Sequence, residues 1–301
     1  MFIKNMFAQK KPVVSFEIFP PNKQSKINTI YNTIENLAVL QPDYMSVTYG
    51  ATGISEGKDL TVKLASFIKN EINIEPLAHL TCIGSTQQQV YQQLATMKQV
   101  GIDNVLALRG DKPIDYLQNN SSYFNYASDL ITEIKNNFQF SIGAACHPEG
   151  HIEAKSKITD LINLKNKVDC GADFLVSQLF FNNQDFYAFL NEVRLLGINI
   201  PVVAGIMPVV NTKQIERIVS LCGANVPQKF KKIMVKYQYN KEALIDAGIA
   251  YASEQIIDLL SSGIDGVHLY VMNRPYIAKR LINNISSVVK VLNTKEEEHV
   301  S

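Results

Sequence analysis

Residues 13–50 read VVSFEIFPPNKQSKINTIYNTIENLAVLQPDYMSVTYG. Two short runs dense in Val, Ile, Phe and Tyr, 13–19 and 44–50, bracket a stretch in which Ile27, Ile30, Tyr31, Ile34, Leu37 and Ala38 recur at helical spacing. Strand, helix and next strand form one βαβ unit of about 30 residues. Working outward, the unit repeats. Strands are predicted at 13–19, 44–50, 75–82, 104–110, 140–146, 174–181, 201–207 and 266–272. Their starts lie 27 to 36 residues apart, except for a last interval of 65 that leaves room for extra helix over 211–262. Leu161, Leu164, Lys165 and Val168 continue a similar stripe behind the fifth strand. Near-continuous apolar strands are those of a parallel sheet covered on both faces. Eight of them, each followed by a helix, predict an α/β protein: a closed (β/α)8 barrel, the TIM-barrel architecture, with extra helices between strands 7 and 8. The rival, an open doubly wound sheet, usually has five or six strands, and its dinucleotide-binding form needs GxGxxG after a strand. No GxGxxG occurs among the 15 glycines. Without a linker, low-complexity tract or sequence repeat, one catalytic domain is expected over 1–301, with a charged, frayed tail at 295–301.

Composition narrows the class. The chain has 301 residues, 29 Lys+Arg against 28 Asp+Glu, and a formal net charge of +1. That balance argues against a nucleic-acid binder, which tracks phosphates with a basic excess. An apolar share of 46% with 19% charged residues describes an ordinary globular chain. No apolar run approaches the roughly 18 residues of a membrane span. Lys4, Lys10 and Lys11 surround only a very short apolar patch, so the N-terminus is not read as a signal peptide. Cys82, Cys146, Cys170 and Cys222 lie far apart with no CxxC, as expected of reduced thiols in a cytoplasmic protein without a zinc ribbon.

In such a barrel, chemistry collects where the strands run out at their C-terminal ends. Polar residues cluster there: Glu17, Thr48, Tyr49, His79, Arg109, Asp111, His147, Glu149, His151, Gln178, Tyr270, Asn273 and Arg274. Glu17, flanked by apolar residues on a central strand, is expected to be desolvated, which favours the protonated carboxyl and suits a proton donor. Its structural alternative is a barrel-layer acid paired with an Arg or a backbone amide. Arg109-Gly110-Asp111 closes the fourth strand, with glycine allowing close backbone approach and opposite charges to either side; the alternative is a surface ion pair. His147-Pro148-Glu149-Gly150-His151 has two histidines four apart, but Pro148 and Gly150 make a loop, so no metal site is expected. Imidazoles contacting a phosphorylated cofactor, ahead of a helix N-terminus, suit it better. Gln178 can clamp an amide edge, or be a hydrogen-bonded core amide. Arg274 suits a carboxylate, or holds the helix starting at Pro275. Strand interiors lack a lysine for Schiff-base chemistry and lack an HxH metal pair.

Taken in order, Ser15-Phe16-Glu17-Ile18-Phe19-Pro20-Pro21, Ser46-Val47-Thr48-Tyr49-Gly50-Ala51, Ala78-His79-Leu80-Thr81-Cys82, Ala107-Leu108-Arg109-Gly110-Asp111, Pro148-Glu149-Gly150-His151, Gln178 with Phe180-Phe181, Gly205-Ile206-Met207-Pro208-Val209 and Asn273-Arg274 resemble the methylenetetrahydrofolate reductase family. The resemblance runs from residue 15 to residue 274. It implies a barrel holding FAD at its mouth and reducing 5,10-methylenetetrahydrofolate to 5-methyltetrahydrofolate, feeding methyl groups to methionine synthesis. Hydride would come from NADH or NADPH in a ping-pong sequence, with the protein orienting the rings and handling one proton. By motif, Glu17 matches the general acid that protonates folate N10. Asp111 matches the acid near the flavin pyrimidine edge and the pterin, stabilising a cationic iminium. Thr48, Tyr49, Ala51, His79, Arg109, Gly110, Ala127 and His147 match flavin-side positions. His151, Ala154, Asp160, Asn163 and Lys167 match the phosphate, ribose and adenine side. Gln178, Gln214 and Arg274 match substrate contacts.

The pattern departs at His147, where the resemblance implies Tyr, at Ile152 for Pro, and at Leu179 and Ile218 for aromatics. None removes a proton donor or a main charge. The chain ends 27 residues past Arg274, so a short form without a regulatory domain is expected, and the family resemblance implies that it uses NADH. The family further implies a homo-oligomer. Two alternatives are a flavin- or folate-binding barrel without turnover, and a flavin oxidoreductase for another imine or a quinone.

Overall fold

The computed structural model describes residues 1–21, 27–49, 55–111, 123–211, 219 and 223–299. Eight parallel strands follow one another round a closed barrel: β1 (Val13–Ile18), β2 (Tyr44–Val47), β3 (Glu75–Thr81), β4 (Asn104–Leu108), β5 (Ser141–Cys146), β6 (Phe174–Ser177), β7 (Val202–Ile206) and β8 (Gly266–Leu269). Among the described residues, α1 (Met6–Gln9) precedes β1. Helices α2 (Ile27–Ala38), α3 (Ser55–Asn70), α4 (Gln87–Gln99), α5 (Ala127–Asn137), α6 (Lys157–Asp169) and α7 (Asn183–Leu195) follow β1 to β6 in turn. Both α8 (Gln228–Tyr237) and α9 (Lys241–Ser261) lie between β7 and β8, and α10 (Pro275–His299) follows β8. The (β/α)8 barrel expected from the spacing, extra helices included, is the observed fold. No helix among the described residues is long and apolar enough to cross a membrane.

Every strand starts within one residue of its expected position, but most stop sooner. The largest difference is at β6, which ends at Ser177 instead of residue 181. Its ladder with β7 covers only Leu175↔Val202 and Val176↔Val203. Past that point the apolar residues Leu179, Phe180 and Phe181 are buried by packing, not by strand pairing. Hydrophobicity alone does not separate the two.

Alternation along the strands sorts side chains into two layers. Val14, Phe16 and Ile18 of β1 pack outward in one core with Ile30, Ile34 and Leu37 of α2. The opposite parity fills the barrel: Val13, Tyr44, Leu77, Leu106, Phe174 and Val176 form an inner cluster. Ile3 and Met6 belong to that cluster and close the floor. The Ile3 N–H donates to Asn104 Oδ1 at 2.7 Å, and Phe7 lies 5.5 Å from the Phe174 ring centroid. Lys4, Lys10 and Lys11 pair with Asp173 (3.2 Å), Asp43 (2.7 Å) and Asp265 (2.9 Å). Each aspartate also accepts the N–H of a residue on the strand before its own: Ile142 (2.8 Å), Val14 (2.7 Å) and Val202 (2.9 Å). The lysines around the short N-terminal apolar patch therefore fasten a plug beneath the barrel.

Glycine is required where α9 crosses the segment after β7. A Cβ on Gly248 would stand 1.8 Å from Val209 O, a backbone atom that cannot swing aside. Gly248→Ala is expected to cost about 3 kcal/mol through overpacking, read as a lower urea midpoint with an unchanged denaturant slope.

Candidate active site

Strand parity places Ser15 and Glu17 on the inner face of β1, one turn of the pleat apart, with Ser46 of β2, His79 of β3 and His268 of β8 around them. Glu17, Ser46, Leu77, His79, Leu106, Leu108, Ala145, His147, Val176, Gln178, His268 and Tyr270 line one cavity of about 180 Å³ at the C-terminal mouth. Pockets that bury a whole drug-sized ligand are about 300–1,000 Å³, so this one is smaller than such a pocket.

Glu17 sits at the base, 7% exposed. Its Oε2 lies 3.8 Å from His79 Nε2 and 3.8 Å from His268 Nε2. Neither an Arg side chain nor a backbone amide binds it among the described residues. The histidines differ. His268 is anchored, its Nδ1 2.7 Å from Ser15 Oγ, its Nε2 3.3 Å from Ser46 Oγ, and its ring parallel to Tyr44. His79 Nε2 is buried with no hydrogen-bond partner. Burial holds the His79 imidazole down to about 4, against the opposing pull of Glu17 and with help from His268. It is a neutral ring beside an acid at the cavity floor, with a buried nitrogen that no protein group pairs.

Higher on the wall, the Gln178 N–H donates to Cys146 O at 2.7 Å and its Oε1 accepts the Leu179 N–H at 2.9 Å. That leaves the carboxamide NH2 for a ligand. Tyr270 donates its hydroxyl to Ser177 O at 2.8 Å. Gly205 makes this crossing possible, because a Cβ there would stand 2.3 Å from Ser177 O and 2.7 Å from the Tyr270 ring. His147 meets His151 edge-on at 4.7 Å. Burial, then Lys167 and His151, push the His147 imidazole down to about 3.

The β5–α6 loop gathers the residues expected on the cofactor's phosphate side. The His151 N–H donates to Asp160 Oδ2 at 3.1 Å, and the Ala154 N–H donates to His151 O at 2.9 Å. Ser156 caps α6 by accepting the Thr159 N–H. The Lys167 ammonium reaches Ala145 O at 2.5 Å, and burial lowers its pKa. Arg109 grips Glu153 with both guanidinium NH2 groups, at 2.7 and 2.8 Å, which holds the β4 end to this loop. Gly110 follows at φ +88, in the left-handed region glycine tolerates. Thr48 and Tyr49 follow the end of β2, and Ala127 opens α5. Asn163, Asp111 and Arg274 are exposed. Ala51, Gln214 and Ile218 lie outside the described residues.

Arg274 follows two left-handed residues, Met272 (φ 55) and Asn273 (φ 53). Asn tolerates that region, but for Met it is strain, and such strain gathers at functional sites. It is held by the Asn273 side chain, which accepts the Phe19 N–H at 3.0 Å and donates to Phe19 O at 2.8 Å. The ends of β8 and β1 are thus clamped together just above Glu17. Sequence reasoning missed His268 and Ser46, although the shared parity of Gly266 and His268 on β8 with Tyr270 just beyond it is legible in the sequence.

A model of the family described as methylenetetrahydrofolate reductase matches residues 2–286. The chain is 35% identical over 299 residues to methylenetetrahydrofolate reductase (NADH) 1 of Arabidopsis thaliana, covering 95% of this chain and 50% of that protein. It is 34% identical over 261 residues to 5,10-methylenetetrahydrofolate reductase of Escherichia coli strain K12, covering 87% of this chain and 86% of the other. The chain thus spans about half the length of the plant relative. Among solved structures, an uncharacterised Clostridium thermocellum protein that binds two copies of 5-methyl-5,6,7,8-tetrahydrofolic acid superposes with TM-score 0.68 at 14% identity, covering 97% of this chain and 100% of that one. That likeness is one of fold. With the match running from the floor plug through the last barrel strand and into α10, the chain belongs to the methylenetetrahydrofolate reductase family.

Proposed function

We propose that this chain reduces 5,10-methylenetetrahydrofolate to 5-methyltetrahydrofolate with NADH as the preferred donor, using bound FAD in a ping-pong sequence. The observation that carries the reading is Glu17: a buried carboxyl without a protein hydrogen-bond donor, opening on the mouth cavity of a chain that belongs to this family.

The residues present fit a flavin. The orphaned His79 Nε2 and the spare Gln178 amide offer polar contacts to a heteroaromatic ring edge. Beside them, the loop of His147, His151 and Ala154, with Asp160 and Lys167 of α6, offers imidazole, carboxylate and ammonium groups to a dinucleotide tail. Thr48, Tyr49, Ala51, Arg109, Gly110, Ala127 and Asn163 complete that proposed set. When bound, FAD supplies the hydride relay between donor and folate.

The chain's own work is then proton handling and placement. Glu17 holds the proton and gives it to folate N10 as the five-membered ring opens. Neutral His79 beside it adds no fixed cation that would pull that proton away. Asp111 sets a negative charge at the rim, where it favours the cationic iminium of the opened folate. Gln178, Gln214 and Arg274 hold the substrates, with Arg274 suited to the folate carboxylate. The same reading makes the protein a cytoplasmic homo-oligomer that feeds methyl groups to methionine synthesis.

Anaerobic NADH should bleach the flavin band near ~450 nm of the FAD-loaded protein, and 5,10-methylenetetrahydrofolate should restore it. A protein that takes up no FAD, or whose reduced form is reoxidised by menadione but never by the folate, defeats the proposal. Glu17→Gln should leave bleaching by NADH intact and slow reoxidation by the folate about 10³-fold, the size of a lost general acid. Stopped-flow absorbance of the two half-reactions separates these outcomes.

His79 yields a pH prediction. Unfolded, its imidazole takes a proton near 6.5; folded, only near 4. Acid therefore favours the unfolded chain, and stability present above pH 6.5 is lost as pH falls toward 4. Urea titrations across that window should show the decline, and His79→Gln should flatten part of it, with His147 keeping the remainder.

A further inference from the structure

Glu149 lies in the β5–α6 loop between two histidines assigned to the cofactor, yet it faces a different part of the chain. Its Oε1 accepts the Asn225 N–H at 2.7 Å, across 76 residues of sequence. A second contact lies beside it: a Cβ on Gly223 would stand 2.9 Å from Ile152 Cγ2. Gly150, at φ +90, provides the turn that separates Glu149 from His151. Burial raises the Glu149 pKa, and the Asn225 N–H and Asp185 act on it with opposite signs, the first lowering and the second raising. A half-buried acid satisfied by one distant backbone donor costs more than a solvated one, so the bond has to be worth keeping.

The segment it holds leads back to the site. Ala224 is buried with Leu179, Phe181, Met207 and Phe230, and Val226 and Tyr270 pack against the same cluster. Leu179 donates its N–H to Gln178 Oε1, and both Gln178 and Tyr270 line the cavity. Displacing residues 223–226 would loosen the packing behind Gln178 and Tyr270 and leave Glu17 and His79 where the strands put them.

We propose that Glu149 is a positioning residue for the folate half of the reaction, fastening residues 223–226 to the β5–α6 loop through the Asn225 N–H and so setting the β6–β8 side of the cavity wall. This rests on the reductase reading above. Glu149→Ala, in the FAD-loaded full chain, should raise the KM for 5,10-methylenetetrahydrofolate about five- to tenfold, the net size of one ordinary hydrogen bond. Its kcat and its NADH–menadione turnover should stay within about twofold, on the same scale. Glu149→Gln keeps the acceptor oxygen and should restore the folate KM. Deuterium uptake in a peptide covering 223–227 should rise in the Ala variant and not in the Gln variant, while strand peptides stay protected. An unchanged folate KM in Glu149→Ala, or a Gln variant as impaired as Ala, overturns the proposal. Should Glu149→Ala fail to fold, uptake in the unsubstituted protein decides: a protected Asn225 amide supports the tether, and exchange at the rate of a free peptide overturns it. An unsubstituted protein that oxidises NADH with menadione but never with folate would sink the reductase reading instead, and the exchange data would still judge the tether.

Discussion

Pairing of β8 with β1 runs from Val13↔Gly266 to Phe16↔Leu269 and turns an open sheet into a ring. It demands a residue without a side chain at 266, where a Cβ would stand 2.5 Å from Val13 O. A closed sheet has no unpaired edge, and its inward row of side chains faces itself across a short span. That is how Ser15 and His268, 253 positions apart, come to lie 2.7 Å from one another. Glu17, one inward position above Ser15, inherits the same surroundings. Without this ladder there is neither a cavity nor an acid at its base.

The polar layer around Glu17 would be costly in an ordinary core, because a buried carboxyl needs hydrogen bonds or a counter-charge. No Lys or Arg among the described residues lies within ion-pair distance of it, and its nearest charged-capable neighbours are two imidazoles at 3.8 Å. Serines anchor one of them, and burial keeps the other neutral. A carboxyl with no protein hydrogen-bond donor at the mouth of the barrel suits the ligand-handling role proposed for it better than a stabilising one.

Floor and mouth divide the labour of the molecule. At the floor, three aspartates each tie a strand's N–H and a lysine of the N-terminal plug, and Asn104 seals the centre. These bonds hold regular backbone in register. At the mouth, the chain instead tolerates strain at Met272, a glycine crossing at Gly205 and loop-to-loop ties such as Arg109 to Glu153. Irregular backbone there frees side chains to meet a ligand, while the floor supplies the rigidity that keeps them in place.

The barrel, the extra helices before β8 and much of the mouth are legible in the order of residues alone. Repeats of about 30 residues and near-continuous apolar strands have few other solutions, and polar residues at strand ends stand out against them. Glu17, His79, His147 and Gln178 were legible for that reason, and all four line the cavity. The plug of residues 1–11 was not, since elements of three and four residues have no periodicity to read. It takes the folded chain to bring His268 and Ser46 beside Glu17, to close Arg109 on Glu153 and to carry Glu149 to Asn225. Local pattern reports which face of an element is apolar. Which polar side chains meet depends on strand register and loop paths, and contacts spanning tens to hundreds of residues leave no mark in either neighbourhood.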